Sequence, residues 1–578
     1  MEDNVLLEFN NFGFQYNAQS TPTLHNINFK LRRGERILIA GPSGCGKSTL
    51  VHCINGLIPF SYKGEMTGSL KLRGRETKEL SLFEISKTVG TVLQDSDAQF
   101  VGMTVAEDIA FALENDCVGE PDLHDRVKEA AAMVDIDGFL THAPGELSGG
   151  QKQRVSVAGV LVDAVDILIF DEPLANLDPA TGKQAIELID RMQKETGAAV
   201  IIVEHRLEDV LHRSVDRIVL MSEGSVMADM PADELLSGSL LAQCGIREPL
   251  YITALKYAGV GIVPDKKPAS IRTIELDEED KAAVRSWYRN SGVTSESSLP
   301  DELLRIDKLD FTYDTGKVHA LRDISLEIKK GEMTAIVGTN GAGKSTLAKV
   351  ICGFEKESSG TIYYKGSDIA DLTIRERAEK IGYVMQNPNQ MISKVFLYDE
   401  VALGLRNRGV PESEIEDRVE KALRTCGLWR MRKWPISALS YGQKKRATIA
   451  SILTLEPEMI ILDEPTAGQD YRHYTEIMEF LNELNGMGIT VLMVTHDMHL
   501  MLEYADRAIV FSHGRIIADD RCYNILTDED IIREASLKET SLYELAVKCG
   551  IGDGTDFVKN FIGYERNNMR TGEVDVND

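Results

Sequence analysis

Cysteine is sparse and scattered. Eight residues in 578 (Cys45, Cys53, Cys117, Cys244, Cys352, Cys426, Cys522 and Cys549) include no CxxC pair. That pattern supports neither a zinc site nor a disulfide framework, and it fits a reducing compartment. No run approaches the roughly 18 consecutive apolar residues that a membrane-spanning helix needs. The opening MEDNVLLEFN lacks the basic stretch and apolar core of a secretory signal. Positive charge is also in deficit, with 64 Lys plus Arg against 91 Asp plus Glu and a formal net charge of −27. A body that coats nucleic acid or an anionic bilayer through bulk charge is thereby excluded, because both surfaces would repel it. What is present is ample apolar material, 43% of the chain, enough for about three to five domains of roughly 100 to 200 residues. If this protein works at a membrane, partners supply the membrane part.

The chain repeats itself. GPSGCGKST at 41–49 recurs as GTNGAGKST at 338–346, with Lys47 and Lys344 standing 297 residues apart. LSGGQKQR at 147–154 recurs as LSYGQKKR at 439–446, and ILIFDEP at 167–173 as IILDEP at 460–465, in the same order. A loop insertion within LIPFSYKGEMT accounts for the first half's extra residues. Between the units, residues 265–300 are polar, acidic and bounded by prolines, as expected of a linker with one short helix. The closing RNNMRTGEVDVND reads as a frayed tail.

RILIAG and TAIVG are short aliphatic strands that feed glycine loops. DILIF, MIILD, AAVIIVEH and GITVLMVTH predict fully buried parallel strands. PDLHDRVKEAAAMVDI and PESEIEDRVEKALRTCGL carry helical apolar spacing, which predicts a helical subdomain ahead of each LSxGQ. GxxxxGK[ST] is satisfied by Gly41, Gly46, Lys47 and Ser48, and again by Gly338, Gly343, Lys344 and Ser345. Glycines let backbone N–H groups turn toward a phosphate at a helix N-terminus, the lysine reaches the terminal phosphates, and the serine hydroxyl ligates magnesium. A strand ending in Asp171-Glu172, and in Asp463-Glu464, sets one carboxylate beside the magnesium and the next where it polarises an attacking water.

With these motifs the chain resembles a tandem pair of ATP-binding-cassette ATPase domains, over residues 4–260 and 302–550; the LSxGQ signature is the specific part. The resemblance implies an α/β fold of two P-loop NTPase ABC cassettes. Each would be a mixed, mainly parallel sheet with helices plus a helical signature subdomain. The expected domains are a first cassette at 1–264, an acidic linker at 265–300, a second cassette at 301–550 and a C-terminal tail at 551–578. The implied cofactors are ATP and Mg2+. Gly41, Ser43, Gly44, Gly46, Lys47, Ser48 and Thr49 would cradle one nucleotide, and Gly338, Asn340, Gly341, Gly343, Lys344, Ser345 and Thr346 the other. Magnesium would meet Ser48, Gln94 and Asp171, or Ser345, Gln386 and Asp463. Glu172 and Glu464 would act on water, with His205 and His496 at the γ-phosphate. Carried over likewise, Ser148, Gly150 and Gln151, with Ser440, Gly442 and Gln443, would face the nucleotide of the opposite half. Asp178 and Asp470 match the D-loop, and Tyr16 and Tyr313 match the aromatic that stacks on adenine. The departures are Tyr441 in place of the first signature glycine and Gln469 where Leu177 stands in the first half.

The Q-loop surroundings, VLQDSDAQFVGMTVAEDIAFALEN at 92–115 and VMQNPNQMISKVFLYDEVALGL at 384–405, resemble those of energy-coupling-factor importers, as do VEHRLEDV and REPLY. That branch implies an ATPase on the cytoplasmic face of the cell membrane, reached through partners only: a transmembrane coupling subunit and a substrate-binding membrane subunit, with no nucleic acid. The cargo would be a vitamin, a vitamin precursor or a metal ion. Asp95, Asp97 and Gln99, and in the second half Asn387, Asn389 and Gln390, are expected contacts for an arginine-bearing coupling helix. The rival reading is a soluble double-cassette translation factor on ribosomes, but its long basic linker is replaced here by ELDEED, which phosphate repels. Cys45, inside the first glycine loop, is expected to block ATP binding when alkylated.

Overall fold

The computed structural model describes residues 4–94, 99–175, 177–291, 301–313, 318–466, 469 and 471–571. Two compact units divide it, the first running to Val284 and taking in 471–472, the second comprising Arg285–Gln469 and the residues from His473 on.

The first unit is built on a six-stranded sheet in the order Ser225–Met230, Arg217–Ser222, Arg36–Ala40, Ala199–Val203, Ile167–Asp171, Val89–Val92. All neighbours are parallel except the Ser225–Met230 edge strand. Its central strands are continuous aliphatic runs because both faces are covered. Ile37, Ile39, Ile167, Ile169 and Ile201 point to one core, shared with the antiparallel strands Val5–Tyr16 and Leu24–Arg32 and the helix Lys47–Ile54. The alternate residues Leu38, Leu168, Phe170, Val200 and Ile202 point to a second core under the helices Val105–Asn115, Glu120–Met133 and Gly149–Leu161. Side chains two apart share a face, and each fully buried aliphatic contributes about 1.5–3 kcal/mol. Read from the opposite edge, the second unit has the same strand order, Ile381–Val384, Met459–Asp463, Thr490–Val494, Met333–Gly338, Arg507–Ser512, Arg515–Asp520. The parallel register brings Asp171 level with Val203 and Asp463 level with Val494, so the glycine loop, the acidic strand end and the histidine turn leave each sheet at one edge. Ligands bind outside the carboxyl ends of parallel strands, where successive crossovers part.

The short helix expected within 265–300 is present: after a single turn at Pro264–Lys266 comes Glu278–Asn290, and the division between the units falls within it. Its acids Glu278, Glu279 and Asp280 occupy the first turn, where the helix dipole favours them, and Asp280 accepts from Lys266 Nζ at 2.7 Å. The expected tail at 551–578 is corrected, because Gly554–Thr571 is a helix that buries Phe557, Val558 and Phe561. Trp287 packs against Phe557, Phe561 and Tyr564 with ring centroids 5.5–6.4 Å apart, and the Tyr288 hydroxyl donates to Asp556 at 2.7 Å. The apolar residues at 557, 558, 561 and 562 have helical spacing, which the acidic composition around them obscures.

Candidate functional site: two phosphate loops and their strand-end carboxylates

Each glycine loop opens a helix, Lys47–Ile54 in the first unit and Lys344–Cys352 in the second. Gly46 and Gly343 cap these helices at φ 103° and 102°. A Cβ at Gly46 would lie 2.7 Å from Leu24 Cδ2 and 3.2 Å from the Thr23 carbonyl oxygen, so both the conformation and the packing demand glycine. Lys47 Nζ folds back to donate to the carbonyls of Gly41 and Pro42 at 2.7 and 2.9 Å, and Lys344 Nζ to those of Gly338 and Thr339, both at 2.8 Å. The hydroxyl of Tyr16 meets Thr49 Oγ1 at 3.1 Å and that of Tyr313 meets Thr346 Oγ1 at 3.0 Å, which seats both tyrosines beside the loops.

At the neighbouring strand end, Glu172 and Glu464 adopt φ 48° and 46°, a left-handed backbone that is strained for glutamate. Their N–H groups donate to Val203 and Val494 carbonyls at 2.9 Å, which holds the strained turn. In the first unit the Gln94 side-chain amide donates to Glu172 Oε2 at 2.7 Å. Burial, then the charges of Glu204 and Asp171, push the Glu172 carboxyl up to about 7. Burial also raises Asp171, opposed by Lys47. In the second unit Ser345 Oγ donates to Asp463 Oδ1 at 3.2 Å and the Tyr383 hydroxyl to Oδ2 at 3.1 Å; burial nonetheless raises Asp463. His496 Nδ1 lies 2.9 Å from Glu464 Oε1, whereas His205 Nδ1 lies 3.1 Å from Glu204 Oε1.

The signature residues stand elsewhere in each unit. Ser148 and Ser440 cap the helices Gly149–Leu161 and Tyr441–Leu453, accepting from Gln151 and Gln443 N–H groups while those glutamines return the bond. Asp178 is the N-cap of the helix Pro179–Thr196 and accepts from Thr181 N–H at 2.9 Å. Asp470, Asp95 and Asp97 lie outside the described residues. Gln99 shapes its own loop: its amide donates to the Thr91 carbonyl at 3.0 Å and its oxygen accepts from Leu93 N–H at 3.2 Å. Asn387 likewise accepts from Asn389 N–H at 3.0 Å, and Asn389 accepts from Lys444 Nζ at 3.2 Å. Cys45, 4% exposed, packs in the core that contains Met221, so a reagent in solvent does not reach it readily.

The family model described as ABC transporter matches residues 24–175 and 321–467, more than half of the chain. The chain belongs to the ABC transporter family. It is accordingly an ATP-binding ATPase of a transporter. A second ABC model, described as an ATP-binding cassette cobalt transporter, matches residues 238–311. An ABC transporter ATP-binding protein of Clostridium perfringens (strain 13 / Type A) is 56% identical over 98% of this chain and 99% of its own length. One from Enterococcus faecalis (strain ATCC 700802 / V583) is 54% identical over 97% of this chain and 98% of its own. A solved structure of cbiO1 from Clostridium perfringens, described as part of the ABC transporter complex cbiONQ, is 39% identical, covers 40% of this chain and 94% of that one, and superposes with a TM-score of 0.38.

Within each ABC cassette the fold brings together the phosphate loop, the acid pair and a histidine, His205 or His496. Two residues at these centres escape motif reading. Glu204 is fully buried beside His205, and the signal for it is a charge set within the aliphatic AAVIIVEH. Tyr383 reaches Asp463 from the adjacent strand, where the first ABC cassette has Thr91.

Proposed function

We propose that this ATPase energises an importer of the energy-coupling-factor type, carrying a vitamin, a vitamin precursor or a metal ion through separate membrane subunits. The observation that carries the ATP-driven part is the same constellation twice over, a loop lysine, a strand-end acid pair and a histidine at one sheet edge. In this reading Lys47 and Lys344 exchange their loop carbonyls for phosphate oxygens, and the N–H groups of the following helices face the same phosphates. Tyr16 and Tyr313 stack on adenine. Ser345 and Asp463, already 3.2 Å apart, offer hydroxyl and carboxylate oxygens, the hard donors that suit Mg2+. Ser48 and Asp171 are the counterparts in the first cassette, with Gln94 and Gln386 close by. Bound Mg2+ would neutralise charge on the phosphates. Glu172 and Glu464 orient and polarise water, and His205 and His496 steady the γ-phosphate.

The importer reading is supported by the description of the model that matches residues 238–311 and by the Q-loop sequences. No helix among the described residues is long and apolar enough to cross a membrane, so the reading gives the membrane part to a transmembrane coupling subunit and a substrate-binding subunit, with this chain at the cytoplasmic face. Glu172→Gln and Glu464→Gln are each expected to lower ATP turnover, and together to reduce it by roughly a hundredfold or more while ATP still binds. Turnover unchanged in the double variant would remove these residues from the chemistry. Affinity capture from detergent-solubilised membranes is expected to recover small integral membrane proteins without ATPase domains. Salt-sensitive recovery with ribosomes would overturn the importer assignment.

A further inference from the structure

The two switch histidines are supported differently. In the second cassette the residue before His496 is Thr495, whose hydroxyl accepts from Asp497 N–H at 3.0 Å. Asp497 in turn caps the helix Met498–Tyr504 by accepting from His499 and Leu500 N–H groups at 2.9 and 3.1 Å. The histidine itself rests on the catalytic carboxylate of Glu464. In the first cassette the equivalent position is Glu204. Its backbone N–H donates to Ile39 just as that of Thr495 donates to Ile336, so the two residues occupy the same place in the sheet. One Glu204 oxygen accepts from the N–H groups of His205 and Arg206 at 2.9 and 3.2 Å and lies 3.1 Å from His205 Nδ1. The other, Oε2, is buried and has no hydrogen-bond partner among the described residues. Its charge faces Asp171 and Glu172, with the Arg206 guanidinium Nε 3.9 Å from Oε1. A buried carboxylate beside two others is unfavourable for folding, and Thr495 fills the same place without a charge.

We propose that Glu204 is a positioning residue of the first ATP site: it holds the turn and ring of His205, so that Glu172 is left free of the histidine and engages Gln94 instead. The two sites therefore differ in construction. At the first, separate carboxylates orient the histidine and act on water; at the second, Glu464 does both. A carboxylate on Nδ1 also dictates which ring nitrogen is left to face a phosphate.

The proposal rests on the reading of Glu172 and His205 as ATPase residues, and the test separates the two. In a full-length Glu464→Gln chain, where only the first site turns over, Glu204→Thr is expected to lower kcat roughly ten- to a hundredfold, with KM for MgATP within about threefold of the parent. Glu204→Gln keeps the Oε1 acceptor and the side-chain volume, and is expected to restore kcat to within about threefold. Beside His205→Ala, Glu204→Thr is expected to change kcat by less than about twofold, because a residue acting through the histidine has nothing left to position. The proposal falls if Glu204→Thr leaves kcat at the parental value, if the loss lies wholly in KM, if Glu204→Gln loses as much as Glu204→Thr, or if the full loss persists beside His205→Ala. No turnover in the Glu464→Gln parent would overturn the reading of the first site itself, and the proposal with it.

Discussion

At the scale of single residues, Glu172 shows how burial and charge tune a group whose identity the DEP motif already announces. Its ordinary value of 4.5 is pushed up to about 7. Between roughly pH 4.5 and 7 the folded protein therefore holds a proton that the unfolded chain has released. Stability falls as pH rises through that window, and the penalty is complete above it. Glu172→Gln removes the ionisation, so without nucleotide or metal its melting temperature is expected to gain on the parent between pH 5 and 8. A gap that stays constant with pH would show that Glu172 titrates normally. Cys45 teaches the converse: a reactive residue type inside a phosphate loop says nothing of reach, and its buried thiol is expected to alkylate at about the rate at which the loop opens.

At the scale of elements, the signature helix of the second cassette is tied to its Q-loop by two side chains that differ from their counterparts in the first. The hydroxyl of Tyr441, the departure from the usual glycine, donates to the Gln386 carbonyl at 3.2 Å. Lys445, 1% exposed, donates to the Met385 and Gln386 carbonyls at 3.1 and 2.8 Å, and burial brings its amine down to about 8. The first cassette has Gly149 and Gln153 at these places. Lys445→Met, which leaves the Met385 carbonyl without this donor and that of Gln386 with Tyr441 alone, is expected to destabilise the second unit by about 1–3 kcal/mol and to speed proteolysis near residue 386. Unchanged cleavage would mean that the tie does not restrain the loop. Gly343→Ala is expected to lose about 2 kcal/mol or more, because its φ of 102° and the nearby Ala320 carbonyl leave no room for a methyl group. The check is a urea melt beside Gly341→Ala, which faces no atom within 4 Å and isolates the backbone part.

At the scale of the whole molecule, the boundary between the two units falls within the helix Glu278–Asn290. Residues 285–290 belong with the second unit, where Trp287 meets Phe557 and Phe561 of the C-terminal helix and Arg285 donates to the Cys549 carbonyl at 2.8 Å. Phe561→Ala is expected to destabilise that unit by about 3–5 kcal/mol, read as a shift in one of two transitions during denaturant unfolding. Equal movement of both transitions would show the units melting as one. Of this architecture, the glycine loops, the strands ending in Asp-Glu and the doubled order of motifs were legible in the chain alone, because short-range backbone chemistry dictates them: a left-handed cap requires glycine, and a strand covered on both faces requires an aliphatic run. Glu204 beneath His205, Tyr383 against Asp463, Lys445 under the Q-loop and Trp287 against the C-terminal helix were decided only by tertiary structure. Each depends on which strand or helix lies next to which, and that adjacency brings Glu204 to Glu172, Lys445 to Gln386, Tyr383 to Asp463 and Trp287 to Phe557, residues 32 to 270 positions apart, only once the parallel sheet and its crossovers are in place.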